Sequence, residues 1–157
     1  TGDFGDAQPY LEQAERTYAA AEDRVGMVHS MQTLAAVDLA RGAYASARQR
    51  LTRASTLATE VNLAEERAVL YAEQAELARL QGRPDEALAL AQRALALFAG
   101  GDARGATETR LRIAAVHRDL EAWDAAEAAL KPFAASPPAN LEHAALLIVR
   151  RGQIALG

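Results

Sequence analysis

The sequence predicts an all-α fold, a solenoid of antiparallel helix pairs with about eight helices, and three observations carry that prediction. Alanine fills 39 of the 157 positions, against 5 prolines and 10 glycines. Alanine gives up no side-chain entropy in a helix, so this composition favours helices over a sandwich or barrel. Four segments align without gaps at offsets of 40, 40 and 39 residues: GDFGDAQPYLEQA (2–14), GAYASARQRLTRA (42–54), GRPDEALALAQRA (82–94) and EAWDAAEAALKPF (121–133). In each, the sixth, tenth and thirteenth positions lie four and three residues apart, which puts them on one helix face. Small residues there let a neighbouring helix come close.

Each element follows from its own residues. A first helix over about 5–21 carries Phe4 at its start and Ala7, Leu11 and Ala14 along the shared face. Asp23, with Gly26 three residues on, caps a second helix over about 24–41, in which Leu34, Val37 and Leu39 keep helical spacing. Gly42 takes a tight turn into a third helix over about 44–60, with Tyr44, Ala47, Leu51 and Ala54 in the repeated places. Asn62 reads as the cap of a fourth helix over about 63–81, marked by Leu70, Leu77 and Leu80.

Gly82 and Pro84 form the next turn and first helical turn, opening a fifth helix over about 84–99 with Ala87, Ala91 and Ala94. After the break at Gly100-Gly101, Asp102 and Gly105 repeat the Asp-x-x-Gly start. They lead a sixth helix over about 103–120 bearing Leu111, Ile113, Val116 and Leu120. Trp123, Ala126, Leu130 and Phe133 place a seventh helix over about 122–134, and Ser136-Pro137-Pro138 breaks it from an eighth over about 140–156 with Leu146, Leu147, Ile148 and Ile154. The chain reads as a single array: a half repeat 1–22, repeats 23–61, 62–101 and 102–138, and a half repeat 139–157.

With no cysteine, disulfide scaffolds, thiol nucleophiles and cysteine-ligated metal sites are excluded. The sequence contains no apolar run long enough for a membrane helix and no signal segment at its start, so the expectation is a soluble, cytoplasmic protein. His29, His117 and His143 are not spaced for a helical metal site, the serines sit in no nucleophile elbow, and no phosphate-binding glycine loop occurs. The expectation is therefore of no enzyme, no cofactor and no metal. Arg41, Arg48, Arg50 and Arg53 form a basic stretch in a chain of net charge −4, with only Tyr44 interleaved. It reads as a solvated face and not as a nucleic-acid site.

Gly42, Tyr44, Ala47, Leu51 and Ala54 occupy the places that mark the turn and second helix of tetratricopeptide repeats, and the chain resembles that family along nearly its whole length. Its unit of 39–40 residues is longer than the family's usual one, and the Asp-x-x-Gly starts at Asp23 and Asp102 add to the difference. Both features resemble the extended repeats of bacterial signal-transduction ATPases, large transcriptional activators and kinesin light chains. The resemblance implies a right-handed superhelix whose first helices line a concave groove, with the second helices, including the arginine-rich one, facing outward. Both ends fall in mid-repeat, as in a piece of a longer array; the alternative is a short chain that dimerises through its terminal helices.

Carried over residue by residue, the family's groove positions fall on His29, Gln32, Glu73, Glu76, Arg79, Glu108, Arg112, Arg118 and Arg151, with Val69, Ala72, Leu111 and Ala115 among them. The lysine and asparagine clamp by which some members hold chaperone C-termini is absent, since Lys131, Asn62 and Asn140 stand elsewhere. The leading expectation is a non-catalytic interaction module of a bacterial regulator. It would bind a protein, a peptide or another part of its own chain in the groove, with no direct contact to nucleic acid or membrane. A small-molecule sensor domain and a structural or self-assembly spacer are the alternatives.

Overall fold

The computed structural model describes residues 4–98 and 102–133. These residues form seven α-helices and one 3₁₀ turn, with no strand among them: α1 (Phe4–Ala20), α2 (Arg24–Ala40), α3 (Tyr44–Glu60), α4 (Ala64–Leu80), α5 (Pro84–Phe98), α6 (Ala103–Asp119), α7 (Trp123–Leu130) and the turn Lys131–Phe133. The expected eighth helix, the half repeat 139–157 and Arg151 lie outside the described residues. None of the described helices is long and apolar enough to cross a membrane.

α1 to α4 are each 17 residues long, and three-residue connections separate them. Five of the reversals use one hydrogen-bond pattern. At the end of α2, for example, the Gly42 N–H donates to the Leu39 carbonyl at 3.0 Å and the Ala43 N–H donates to that of Asp38 at 2.8 Å. Ala58 and Ala78 accept in the same way from Leu63 and Arg83, both at 2.9 Å, and so satisfy helix-end carbonyls that would otherwise lack partners. The pattern needs a residue of positive φ, and Gly42 and Gly82 supply it at 73° and 68°.

At the remaining three reversals the residue is Glu22, Asn62 or Glu121, with φ of 53°, 57° and 58°. Asn62 therefore does not cap α4: it ends α3, because asparagine tolerates the left-handed region better than most residues. Leu63 takes the cap position, without any side-chain bond.

The two aspartate caps form as expected. The Gly26 N–H donates to Asp23 Oδ1 at 2.9 Å, and the Arg104 and Gly105 N–H groups both donate to Asp102 Oδ1 at 3.0 Å. The glycines have a second reason to be there. A Cβ on Gly26 would come within 2.6 Å of the Tyr18 ring, and one on Gly105 would lie 2.5–2.6 Å from the Phe98 ring. Aromatic rings that close the preceding odd helices thus rest in notches on α2 and α6. In the middle unit, Ala58 and Glu66 stand at the corresponding places, small where the others are large and large where they are small.

Alanines of the repeated face are buried from α3 onward: Ala47, Ala54, Ala87, Ala91, Ala94 and Ala126 are at most 1% exposed, whereas Ala14 of α1 is only partly buried. The core is accordingly a series of seams. Val28, Met31 and Ala35 of α2 meet Leu51, Ala54 and Ala58 of α3 and Leu70 and Leu77 of α4. Ala68 and Ala72 of α4 meet Ala94 and Phe98 of α5, while Ala114 of α6 meets Ala126 and Leu130 of α7. Successive helices pack against each other, and α4 also contacts α2 and α6.

α7 is shorter than its expected span. Pro132 has no N–H to donate and its ring collides with the carbonyl four residues back, so the α-helix ends at Leu130 and only the 3₁₀ turn Lys131–Phe133 follows.

Two changes test these local rules. Gly105→Ala is expected to destabilise by about 1–3 kcal/mol through overpacking, and by clearly less when Phe98 is also replaced by leucine, as measured by urea unfolding of the full cycle. Glu121→Gly is expected to stabilise by roughly 0.5–1 kcal/mol. The relief of the left-handed strain exceeds the added chain entropy, and the same measurement reads it.

Candidate interaction groove

The side-by-side contacts of α2, α4 and α6 put one face of these three helices along a common surface. A hollow of about 300 Å³ opens there. Its apolar lining is Val69 and Ala72 of α4 with Phe98 at the end of α5; its polar lining includes Gln32, Glu73, Glu108 and Arg112. Four of the nine expected groove residues therefore meet at one place.

Glu73 lies at the centre of this constellation. Gln32 Nε2 donates to its Oε1 at 3.0 Å, linking α2 to α4, whereas its Oε2 is sealed from solvent and accepts no hydrogen bond. Burial pushes the Glu73 carboxyl above the ordinary carboxylate range, against the lowering effects of the Gln32 hydrogen bond and the Arg112 charge. Arg112 lines the same hollow and, among the described residues, donates no hydrogen bond and forms no ion pair. Arg104 and Glu108, by contrast, bond to each other at 2.9 Å along α6.

Glu76, Arg79 and Arg118 belong to a different cluster. Arg79 donates to both oxygens of Glu76 at 2.9 and 2.7 Å and reaches Asp119 of α6 at 2.5 Å; Arg118 donates to Asp119 at 3.0 and 2.7 Å. The hydrogen bond to Glu76 leads the effects that raise the Arg79 pKa. Burial tends to lift the Asp119 carboxyl, but the hydrogen bonds from Arg118 and Arg79 outweigh it and leave it below its ordinary value. These charges clamp α4 to α6. His29 stands apart, with Nε2 3.6 Å from Glu66 of α4.

Sequence reasoning missed Asp119, Phe98 and Arg104. Equivalent repeat positions identify a helix face but not the residue that reaches across from a neighbour. Asp119 sits forty residues beyond Arg79, one repeat on, and that spacing was the available signal.

The arginine-rich face of α3 departs in part from the expected solvated surface. Arg50 Nε donates to the buried Asp38 at 2.9 Å, and Arg50 and Arg53 each lie 3.5 Å from Glu15 of α1. Arg48 donates to Gln81. Asp38, which is 6% exposed, draws Arg50 inward because a buried carboxylate without a partner is costly. A second hollow of about 390 Å³, between α3 and α4, is lined by Thr52, Ser55, Thr56 and Thr59. Thr56 and Thr59 donate to carbonyls of their own helix, and Ser55 accepts from Gln74.

No protein-family model, no curated protein and no solved structure matches the chain.

The raised Glu73 pKa fixes a pH dependence. The folded protein holds this proton more tightly than the unfolded chain, so the associated stability is present below about pH 4.5 and is lost as pH rises through the folded value. Glu73→Gln, which keeps an acceptor for Gln32, is expected to raise the thermal midpoint near pH 7. The gain should vanish below about pH 4.5, as read by calorimetry across that range.

Proposed function

We propose that the chain is a non-catalytic interaction module, a right-handed α-solenoid of the tetratricopeptide kind, that binds an extended protein segment in the groove along α2, α4 and α6. The segment belongs to a partner or to another part of the same regulatory chain. One observation carries the reading: α4 touches α2 and α6, while α3 makes no such contact with α5. A row of helices drawn together on one side and splayed on the other curves, and the drawn-in side becomes concave.

Two further features support it. The groove is held in advance by the Gln32–Glu73 and Arg79–Asp119 links, which join helices one repeat apart. A preformed surface binds with less ordering cost than one assembled on contact. The hollow of about 300 Å³ is at the small end for an enclosed drug-sized ligand but ample for a peptide side chain with its flanking backbone. Its charges of both signs suit a site that sets orientation and rejects wrong partners.

Selection from a displayed random-peptide library on the immobilised protein tests this. Peptides recovered on the wild type are expected to lose about tenfold or more in affinity on Arg112→Glu and to keep it on Arg48→Glu, which alters α3. Circular dichroism confirms that both variants are folded. Recovery of no peptide, or equal binding to Arg112→Glu, counts against the groove.

A further inference from the structure

The step from α3 to α4 breaks a packing pattern that the step before it keeps. In α2 the residues Met31 and Leu34 are each 1% exposed. Forty residues on, α4 has Tyr71 and Gln74 at the same places, and they line the hollow of about 390 Å³ together with Thr52, Ser55, Thr56 and Thr59 of α3. Those four stand at i, i+3, i+4 and i+7, on one helix face. Polar side chains here forgo apolar burial, and departures of this kind from an otherwise consistent pattern concentrate at functional sites.

Part of the polarity is spent inside the protein. Thr56 and Thr59 donate to the carbonyls of Thr52 and Ser55 at 3.1 and 2.8 Å, and Gln74 Nε2 donates to Ser55 Oγ at 3.0 Å and to the Leu51 carbonyl at 3.3 Å. That carbonyl can only accept, so the amide oxygen of Gln74 is the atom left over. Gln74 Oε1 and the Tyr71 hydroxyl make no hydrogen bond among the described residues, and neither is sealed from solvent, in contrast to Glu73 Oε2. Both side chains are held in place, Gln74 by its NH₂ and Tyr71 by its packing against Ala68, Ala72, Ala94 and Phe98.

We infer that this hollow binds a neutral polyhydroxylated molecule about the size of one sugar ring. Charge decides the class. No cation among the described residues lines the hollow to hold an anion, and Glu60, the one charged residue of the lining, is paired with Arg24 at 3.6 Å. A wholly apolar occupant would take water from Gln74 Oε1 and the Tyr71 hydroxyl and give no partner back. A ring bearing several hydroxyls meets both demands: one hydroxyl donates to Gln74 Oε1, another accepts from Tyr71, and the C–H surface lies on the aromatic ring and the threonine methyls. The volume falls within the range of small-molecule sites. The inference does not rest on the peptide groove, whose lining is a different set of residues.

Chemical-shift titration of the ¹⁵N-labelled protein tests it, with glucose, galactose and myo-inositol as neutral probes and inorganic phosphate and spermidine as charged ones. At least one neutral probe is expected to give saturable shifts at the amides of residues 52–60 and 71–74. Tyr71→Met combined with Gln74→Leu, which installs the α2 pair, should weaken that probe about tenfold or more. Tyr71→Phe, which keeps the ring, should cost about threefold. Arg112→Glu, in the groove, should leave the affinity within about twofold. No saturable shift with any neutral probe, tighter binding of phosphate or spermidine at these amides, or an affinity unchanged in both Tyr71 variants overturns the inference.

Discussion

A helix that turns alanine toward its neighbour offers little apolar area, yet it lets the two backbones come closer than leucine would. The fold depends on that exchange. Ala47, Ala54, Ala87, Ala91, Ala94 and Ala126 line the seams at near-complete burial, so each helix settles into its neighbours over most of its length. Larger side chains are used sparingly between these seams. Met31, Leu34, Leu51 and Leu70 are the bulkiest fully buried apolar groups, and truncating one such leucine costs about 2–5 kcal/mol. The Tyr18–Gly26 and Phe98–Gly105 pairs follow the same rule, a ring on one helix answered by a missing side chain on the next.

Close packing of alanine has no directional content, and polar links provide it. Arg50 joins the buried Asp38 of α2 to Glu15 of α1, Gln32 joins α2 to α4 through Glu73, and Arg79 joins α4 to α6 through Asp119. The last two cross the surface along α2, α4 and α6, so the groups that link these helices also pair much of the charge on that face. Glu76, Arg79 and Arg118 are largely committed to one another and to Asp119. Among the described residues of this face, Glu73 Oε2 stays buried without a hydrogen-bond partner.

Helix existence and order were legible in the sequence because each signal is local. Alanine at the sixth position of every segment, aspartate before α2 and α6, and glycine at 42 and 82 act within one or two turns of helix. The seven described helices begin within two residues of their expected starts. Asn62 was misassigned because the same side chain suits a helix cap and a left-handed turn; what separated the two was a reversal placed twenty residues after that at Gly42. Glu121 was marked only by its alignment with Gly42 and Gly82, and neither it nor Glu22 signals a turn by residue type, since glutamate is an ordinary helix former and takes positive φ here only because the turn requires it.

The sequence by itself determined an all-helical chain with a forty-residue period, since hydrogen bonding within a helix and the spacing of small residues depend only on near neighbours. Tertiary structure decided which charges are free. Repeat alignment set Glu73, Glu76, Arg79 and Arg112 on equal terms, but Glu76 and Arg79 neutralise each other while Glu73 is buried with one oxygen unpaired. Such distinctions turn on ångström-scale distances between helices forty residues apart in the chain, and no local pattern encodes them.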